Sequence, residues 1–229
     1  MKVNVSKDIL DVFEGQGLYL KTVNAFPGLP DLRANISIHY GKNKYGSLNP
    51  CIQKPIIFVE GIDLGYKGYP IGERDAKCGS MGYLDLLKGK QWNVERQQWE
   101  TNLGLAQAPA ILEKYRKAGY DIIYVDFFDG AADMDFNSEV LIKVIQEVQS
   151  SMCGEKVHVV GVSMGGIVAK MALKKMENRK LPNCVVSYTS FDAPQQGANI
   201  PLGVQRFVSY MSSMSADCKD IIVIALLAI

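Results

Sequence analysis

The stretch VHVVGVSMGG, Val157 to Gly166, constrains this chain more than any other. Its first half is apolar and β-branched, as a buried strand requires. Gly161, Ser163 and Gly165 then fall in the spacing G-x-S-x-G, and the run that follows, GGIVAKMALKKMEN, has helical periodicity. A strand that passes directly into a helix must turn sharply, with unfavourable backbone angles and close chain approach. Glycines two before and two after the serine meet that need. The stretch therefore predicts a strand, a tight turn holding Ser163 outward, and a helix whose free N–H groups and positive dipole end lie at the turn.

The flanking sequence repeats this alternation. PIIFVEG reads as a buried strand, and NLGLAQAPAILEKYRKAG as a helix interrupted by Pro109 and ended by Gly119. YDIIYVDFF is a strand, and NSEVLIKVIQEVQS is a helix with Asn137 or Ser138 as N-cap and Val140, Leu141, Val144, Ile145 and Val148 on its apolar face. CVVSYTSFD is the next strand. Strands joined through helices at this spacing imply right-handed crossovers and an α/β fold, a mostly parallel sheet with helices on both faces. Residues 1–53 have another texture, alternating runs such as LRANISIHYG broken by Gly, Pro and Asn. They read as a strand-rich region, either the edge of the same sheet or a preceding segment, with 54–229 as the main domain.

Composition narrows the function classes. The 229 residues are 48% hydrophobic and 21% charged, as in ordinary globular domains rather than disordered chains. A net charge of +1 and no basic stripe interleaved with aromatics argue against nucleic-acid binding. Five widely spaced cysteines, Cys51, Cys78, Cys153, Cys184 and Cys218, contain no C-x-x-C pair, so neither a zinc site nor a dense disulfide framework is supported, while one bridge remains open. Cys184 opens the apolar run CVVSY and reads as a small buried hydrophobe. The N-terminal residues carry no legible secretory leader, and the sequence assigns neither a compartment nor an oligomeric state. The last run, IIVIALLAI, is shorter than the roughly 20 apolar residues of a membrane-spanning helix. It stops without a cap or polar tail, as if the domain continued past Ile229.

Three stretches in order carry a resemblance. GVSMGG resembles the nucleophile elbow of the α/β-hydrolase superfamily, in its lipase and esterase branch. KPIIFVEGID resembles the strand and oxyanion loop of that branch, and SFDAPQQGANIPLG is similar to its Thr-Pro-His-x-Gly type loop; together they cover Lys54 to Leu202. The resemblance implies a serine hydrolase that cleaves carboxylic or lipid esters through an acyl-enzyme on Ser163, without metal or organic cofactor. It implies the backbone N–H groups of Ile62 and Met164 as oxyanion donors. This chain departs from the pattern with Glu60 where histidine is usual.

The order in this fold is serine, acid, histidine, yet the chain holds two histidines, both upstream of Ser163. His158, five residues before Ser163 on one strand, is about 16 Å away, and His39 sits in the N-terminal region. The expected base therefore follows Ile229, and the C-terminal part of the fold is expected to be missing. The acid is either Asp192 or a residue past Ile229. Without its histidine a serine triad loses on the order of a millionfold in turnover, so this chain alone is expected to be nearly inert. An acyltransferase or thioesterase on the same elbow, and a non-catalytic binding domain, stay open as alternatives.

Other features have plainer readings. Asp126, Asp129, Asp133 and Asp135 lack the EF-hand pattern and read as a solvated loop leading into a helix. Asp63 lines the pocket or caps the next segment. Residues 201–229, rich in Met and aromatics, suit a lid over an acyl pocket or a plain core helix.

Overall fold

The computed structural model describes residues 18–26, 28–29, 32–61, 90–93, 98–101, 111–130, 132–154, 156–197, 201–203 and 205–206. Six strands form one sheet: β1 (Leu18–Asn24), β2 (Arg33–His39), β3 (Pro55–Val59), β6 (Asp121–Phe127), β7 (Val157–Val162) and β8 (Val185–Phe191). Their order is β1-β2-β6-β3-β7-β8, and among the described residues β4 (Lys90–Asn93) pairs with β5 (Gln98–Thr101) in a separate two-stranded sheet. The pairs β1/β2 and β2/β6 are antiparallel, whereas β6, β3, β7 and β8 run parallel. Parallel neighbours need crossovers, and among the described residues three helices stand between strands: α1 (Ile111–Lys117), α2 (Met134–Ser151) and α3 (Met164–Asn178).

Strand periodicity sorts the core into two layers. Ile57, Val59, Ile123, Val125, Val157 and Val159 pack with α2 and α3, while Ile56, Phe58, Ile122 and Tyr124 pack with Leu112 of α1. All seven residues of β6 are buried, as a central strand covered on both faces requires. Helix α1 ends as predicted at Gly119, whose φ of 88° is the left-handed conformation of a helix stop. Its N–H reaches the Arg116 carbonyl and that of Tyr120 the Tyr115 carbonyl, with the two tyrosine rings in edge contact at 5.8 Å. Pro109 and the rest of the sequence-predicted helix over 102–110 lie outside the described residues.

Helix α2 buries Val140, Leu141, Val144, Ile145 and Val148 as its pattern requires, but its N-cap is neither Asn137 nor Ser138. The helix begins one turn earlier, and the carboxylate of Asp133 accepts from the Asp135 N–H. Asn137 and Ser138 tolerate burial inside the helix because each donates to a backbone carbonyl, that of Asp129 and that of Asp135.

The end of the sheet where the parallel strands begin is tied twice. Cys51 and Cys153 form a disulfide across 102 residues of sequence. The fully buried carboxylate of Asp121 accepts from the backbone N–H groups of Gly41, Gln53 and Lys54 and from the Asn49 amide. Cys184 is half-buried against the core rather than buried, with a free thiol; Cys78 and Cys218 lie outside the described residues. Among the described residues no helix is long and apolar enough to cross a membrane.

Candidate active site

At the C-terminal end of β7 the chain makes the turn that the sequence predicts. Ser163 stands between strand and helix with φ 51° and ψ −129°, a conformation that L-residues rarely adopt, and its side chain makes no cap hydrogen bond. The turn is held by close approach. A Cβ on Gly161 would lie 2.6 Å from the Gly165 carbonyl oxygen, and one on Gly166 would lie 2.6 Å from the Ala193 Cβ. A Cβ on Gly165 would lie 2.7 Å from the Val59 carbonyl oxygen and closer still to that of Glu60. Backbone bonds complete the lock: the Ser163 N–H donates to the Phe191 carbonyl at 2.9 Å, and the Gly166 N–H to the Ser163 carbonyl at 3.0 Å.

Met164, the first residue of α3, is buried. Its N–H belongs to the first helical turn, where no intrahelical acceptor exists. Ile62 and Asp63 lie outside the described residues; the chain is described as far as buried Gly61 at the end of β3. Glu60, which stands where the resemblance would place histidine, is fully buried. The Tyr124 hydroxyl donates to its Oε2 at 2.7 Å and the Phe127 N–H to its Oε1 at 2.8 Å. Composition and spacing gave no sign of this arrangement, because the partners are 64 and 67 residues away.

Beside the turn, Asp192 follows β8 with φ 48° and is exposed. The loop after it is tied to α3 through Gln195, whose amide donates to Tyr188 Oη and Ser190 Oγ and accepts from Lys170. Tyr188 in turn donates to the Gly166 carbonyl.

Neither histidine approaches Ser163. The register aligns His39 with Ile122, Ile122 with Ile56, and Ile56 with His158, so both rings sit toward the beginning of the parallel strands, away from the Ser163 turn. His158 Nδ1 is 2.6 Å from Ser187 Oγ on β8. His39 is buried with Nε2 3.2 Å from Ser37 Oγ, three strand spacings or about 14 Å across the sheet from β7. Of the aspartates read as a solvated loop, Asp126 is instead buried in β6, while Asp133 caps α2 and Asp135 pairs with Lys175 at 2.7 Å. Among the described residues no group of three or more histidine, cysteine or acidic side chains gathers as a metal site.

The sheet is mixed and mostly parallel, helices cover both faces, and β7 passes through the serine turn into α3. The fold is an α/β-hydrolase fold. No protein-family model and no curated protein matches the chain in sequence. Solved structures similar to it include Est1E from Butyrivibrio proteoclasticus, at 11% identity and TM-score 0.43, over 74% of this chain and 49% of that one. The Bacillus licheniformis lipase BlEst2 is 17% identical with TM-score 0.42, over 81% of this chain and 56% of the lipase. A structure from work on two fungal esterases of Rhizomucor miehei is 15% identical with TM-score 0.44, over 82% and 48%. The chain thus spans about half the length of each of these structures.

Proposed function

We propose that Ser163 is the nucleophile of a serine hydrolase that cleaves carboxylic esters, lipase-like in type, through an acyl-enzyme. The observation that carries this reading is the backbone of Ser163, φ 51° and ψ −129°, held between a parallel strand and a helix by glycines that have no room for a side chain. Strain of this kind costs about 1–3 kcal/mol and persists where surrounding structure imposes it, which is a feature of reactive sites. The turn presents Oγ at the end of the sheet, beside the N-terminus of α3.

In the reaction, Ser163 Oγ attacks the ester carbonyl while a base takes its proton. The negative charge on the carbonyl oxygen is met by the backbone N–H groups of Met164 and Ile62 and by the dipole of α3. Collapse expels the alcohol, which leaves with the proton, and water then releases the acid from Ser163 by the same route. Neither His39 nor His158 stands where it could supply the base, so the base stays unassigned in this chain, and Asp192 is a candidate acid. The chemistry asks for no metal or organic cofactor.

The location of both histidines favours one rival, a binding domain that keeps the turn as scaffold. A fluorophosphonate probe separates the two. Slow phosphonylation confined to the Ser163 peptide, faster with added imidazole, absent in Ser163→Ala and unchanged in His158→Ala, is the outcome of the hydrolase reading. A folded chain that never labels, even with added imidazole in place of the base, would leave the binding domain. In a form that turns over, comparing oxygen-ester with thioester hydrolysis separates the esterase from a thioesterase or acyltransferase.

A further inference from the structure

We infer that Glu60 is a positioning residue for Ser163: it fastens the end of β3 to β6, and so supplies the backstop that keeps the serine turn in its strained conformation. The inference rests on the reading of Ser163 given above. The ladder between β3 and β6 runs from Pro55 with Asp121 to Val59 with Val125. One residue further, the side chain of Glu60 takes over, accepting from the Phe127 N–H at 2.8 Å and from the Tyr124 hydroxyl at 2.7 Å. The backbone of Glu60 faces the other way, with its carbonyl carbon 2.7 Å from where a Cβ on Gly165 would stand. One residue therefore grips β6 with its carboxyl group and presses on the first turn of α3 with its main chain.

A buried carboxyl group is a costly way to fill space. Its removal takes an acceptor away from two buried donors, the Phe127 N–H and the Tyr124 hydroxyl, at a cost in stability for each. Hydrogen bonds from two points on β6 fix the direction in which β3 ends, which an aliphatic side chain does not do. If that end drifts, Gly165 gains room, and Ser163 relaxes toward ordinary dihedrals with its Oγ displaced.

Two measurements test this, using Glu60→Met and Glu60→Gln. Glutamine keeps the shape, accepts from the Phe127 N–H and donates to Tyr124 Oη, whereas methionine keeps only the volume. Fluorophosphonate labelling of Ser163, measured at a temperature where both proteins stay folded, should slow about tenfold to a hundredfold in Glu60→Met and stay within about threefold of wild type in Glu60→Gln. A purely structural role would lower the melting temperature and leave the labelling rate of the folded protein unchanged. The second measurement needs no reactivity. Ser163→Gly should melt about 3 °C above Ser163→Ala, because glycine relieves the strain and alanine keeps it. That gap should shrink by at least half in the Glu60→Met background.

Should Glu60→Met not fold, Tyr124→Phe, which removes one of the two donors, should narrow the gap in the same direction by less. A gap unchanged by the clamp variant, or labelling of Glu60→Met at the wild-type rate, overturns the inference. A wild-type chain that never labels, even with added imidazole, overturns the hydrolase reading instead, and the melting comparison still decides the clamp.

Discussion

Replacing Gly165 with alanine should reverse the usual sign of a glycine-to-alanine change in a helix. In an open helix alanine is favoured by about 0.8–1 kcal/mol. Here the new Cβ would stand 2.7 Å from the carbonyl oxygen of Val59 and nearer to that of Glu60, against about 3.4 Å for an ordinary contact. At least 0.7 Å of movement is needed at the first oxygen, about 3.4 less 2.7, and more at the second. Both are backbone atoms at the end of a strand paired on both sides, so neither can swing aside as a side chain would. Overpacking of this kind costs about 1–3 kcal/mol, occasionally more. With the propensity gain subtracted, a net loss of about 1–2 kcal/mol is expected, which for a chain of this length lowers the melting temperature by about 2–8 °C. Thermal unfolding followed by circular dichroism reads the shift. Gly28→Ala is the control, since no atom lies within 4 Å of its would-be Cβ and its φ is not positive; it should be neutral or slightly stabilising. Gly165→Ala as stable as wild type would refute the claim that the turn is held by contact between α3 and the end of β3.

Two further outcomes follow from features away from the turn. Opening the Cys51–Cys153 bridge, by reduction or by Cys51→Ser, releases a loop of 102 residues and should cost about 3–5 kcal/mol, read as a lower urea midpoint. The hydrogen bonds from Arg179, with further help from Lys175, hold the Glu139 carboxyl at about 2, below its ordinary 4.5. A folded-state pKa below the unfolded one stabilises fully above 4.5 and is lost as pH falls toward 2, so wild type and Glu139→Gln should differ at pH 6 and converge near pH 2. Solvent screening limits the difference to about 1 kcal/mol, and denaturant titrations at the two pH values measure it.

Most of the sheet could be read from sequence because its signals are local. Val157 to Gly166 writes strand, turn and helix within ten residues, and the turn is where that reading puts it. The start of α2 was misplaced because Asp133, Asn137 and Ser138 are all competent caps. The choice falls to Asp133 since Asn137 and Ser138 find acceptors inside the fold. The Glu60 clamp, the Asp121 cluster and the Cys51–Cys153 pairing were not legible for one reason. Each joins residues 64 to 102 positions apart, and no period along the chain records which distant strand will be a neighbour.

The sheet has two unlike ends. Where the parallel strands begin, a covalent bridge and the buried Asp121 carboxylate bind loops to strands. Where they finish, Ser163 and Asp192 carry positive φ angles on adjoining strand ends. The covalent bridge and the Asp121 carboxylate thus stand at the end opposite the strained turns, while Glu60 stands beside them. Substitutions along the exposed loop after Asp192 can therefore reshape this end of the sheet while the anchorage at the opposite end stays untouched.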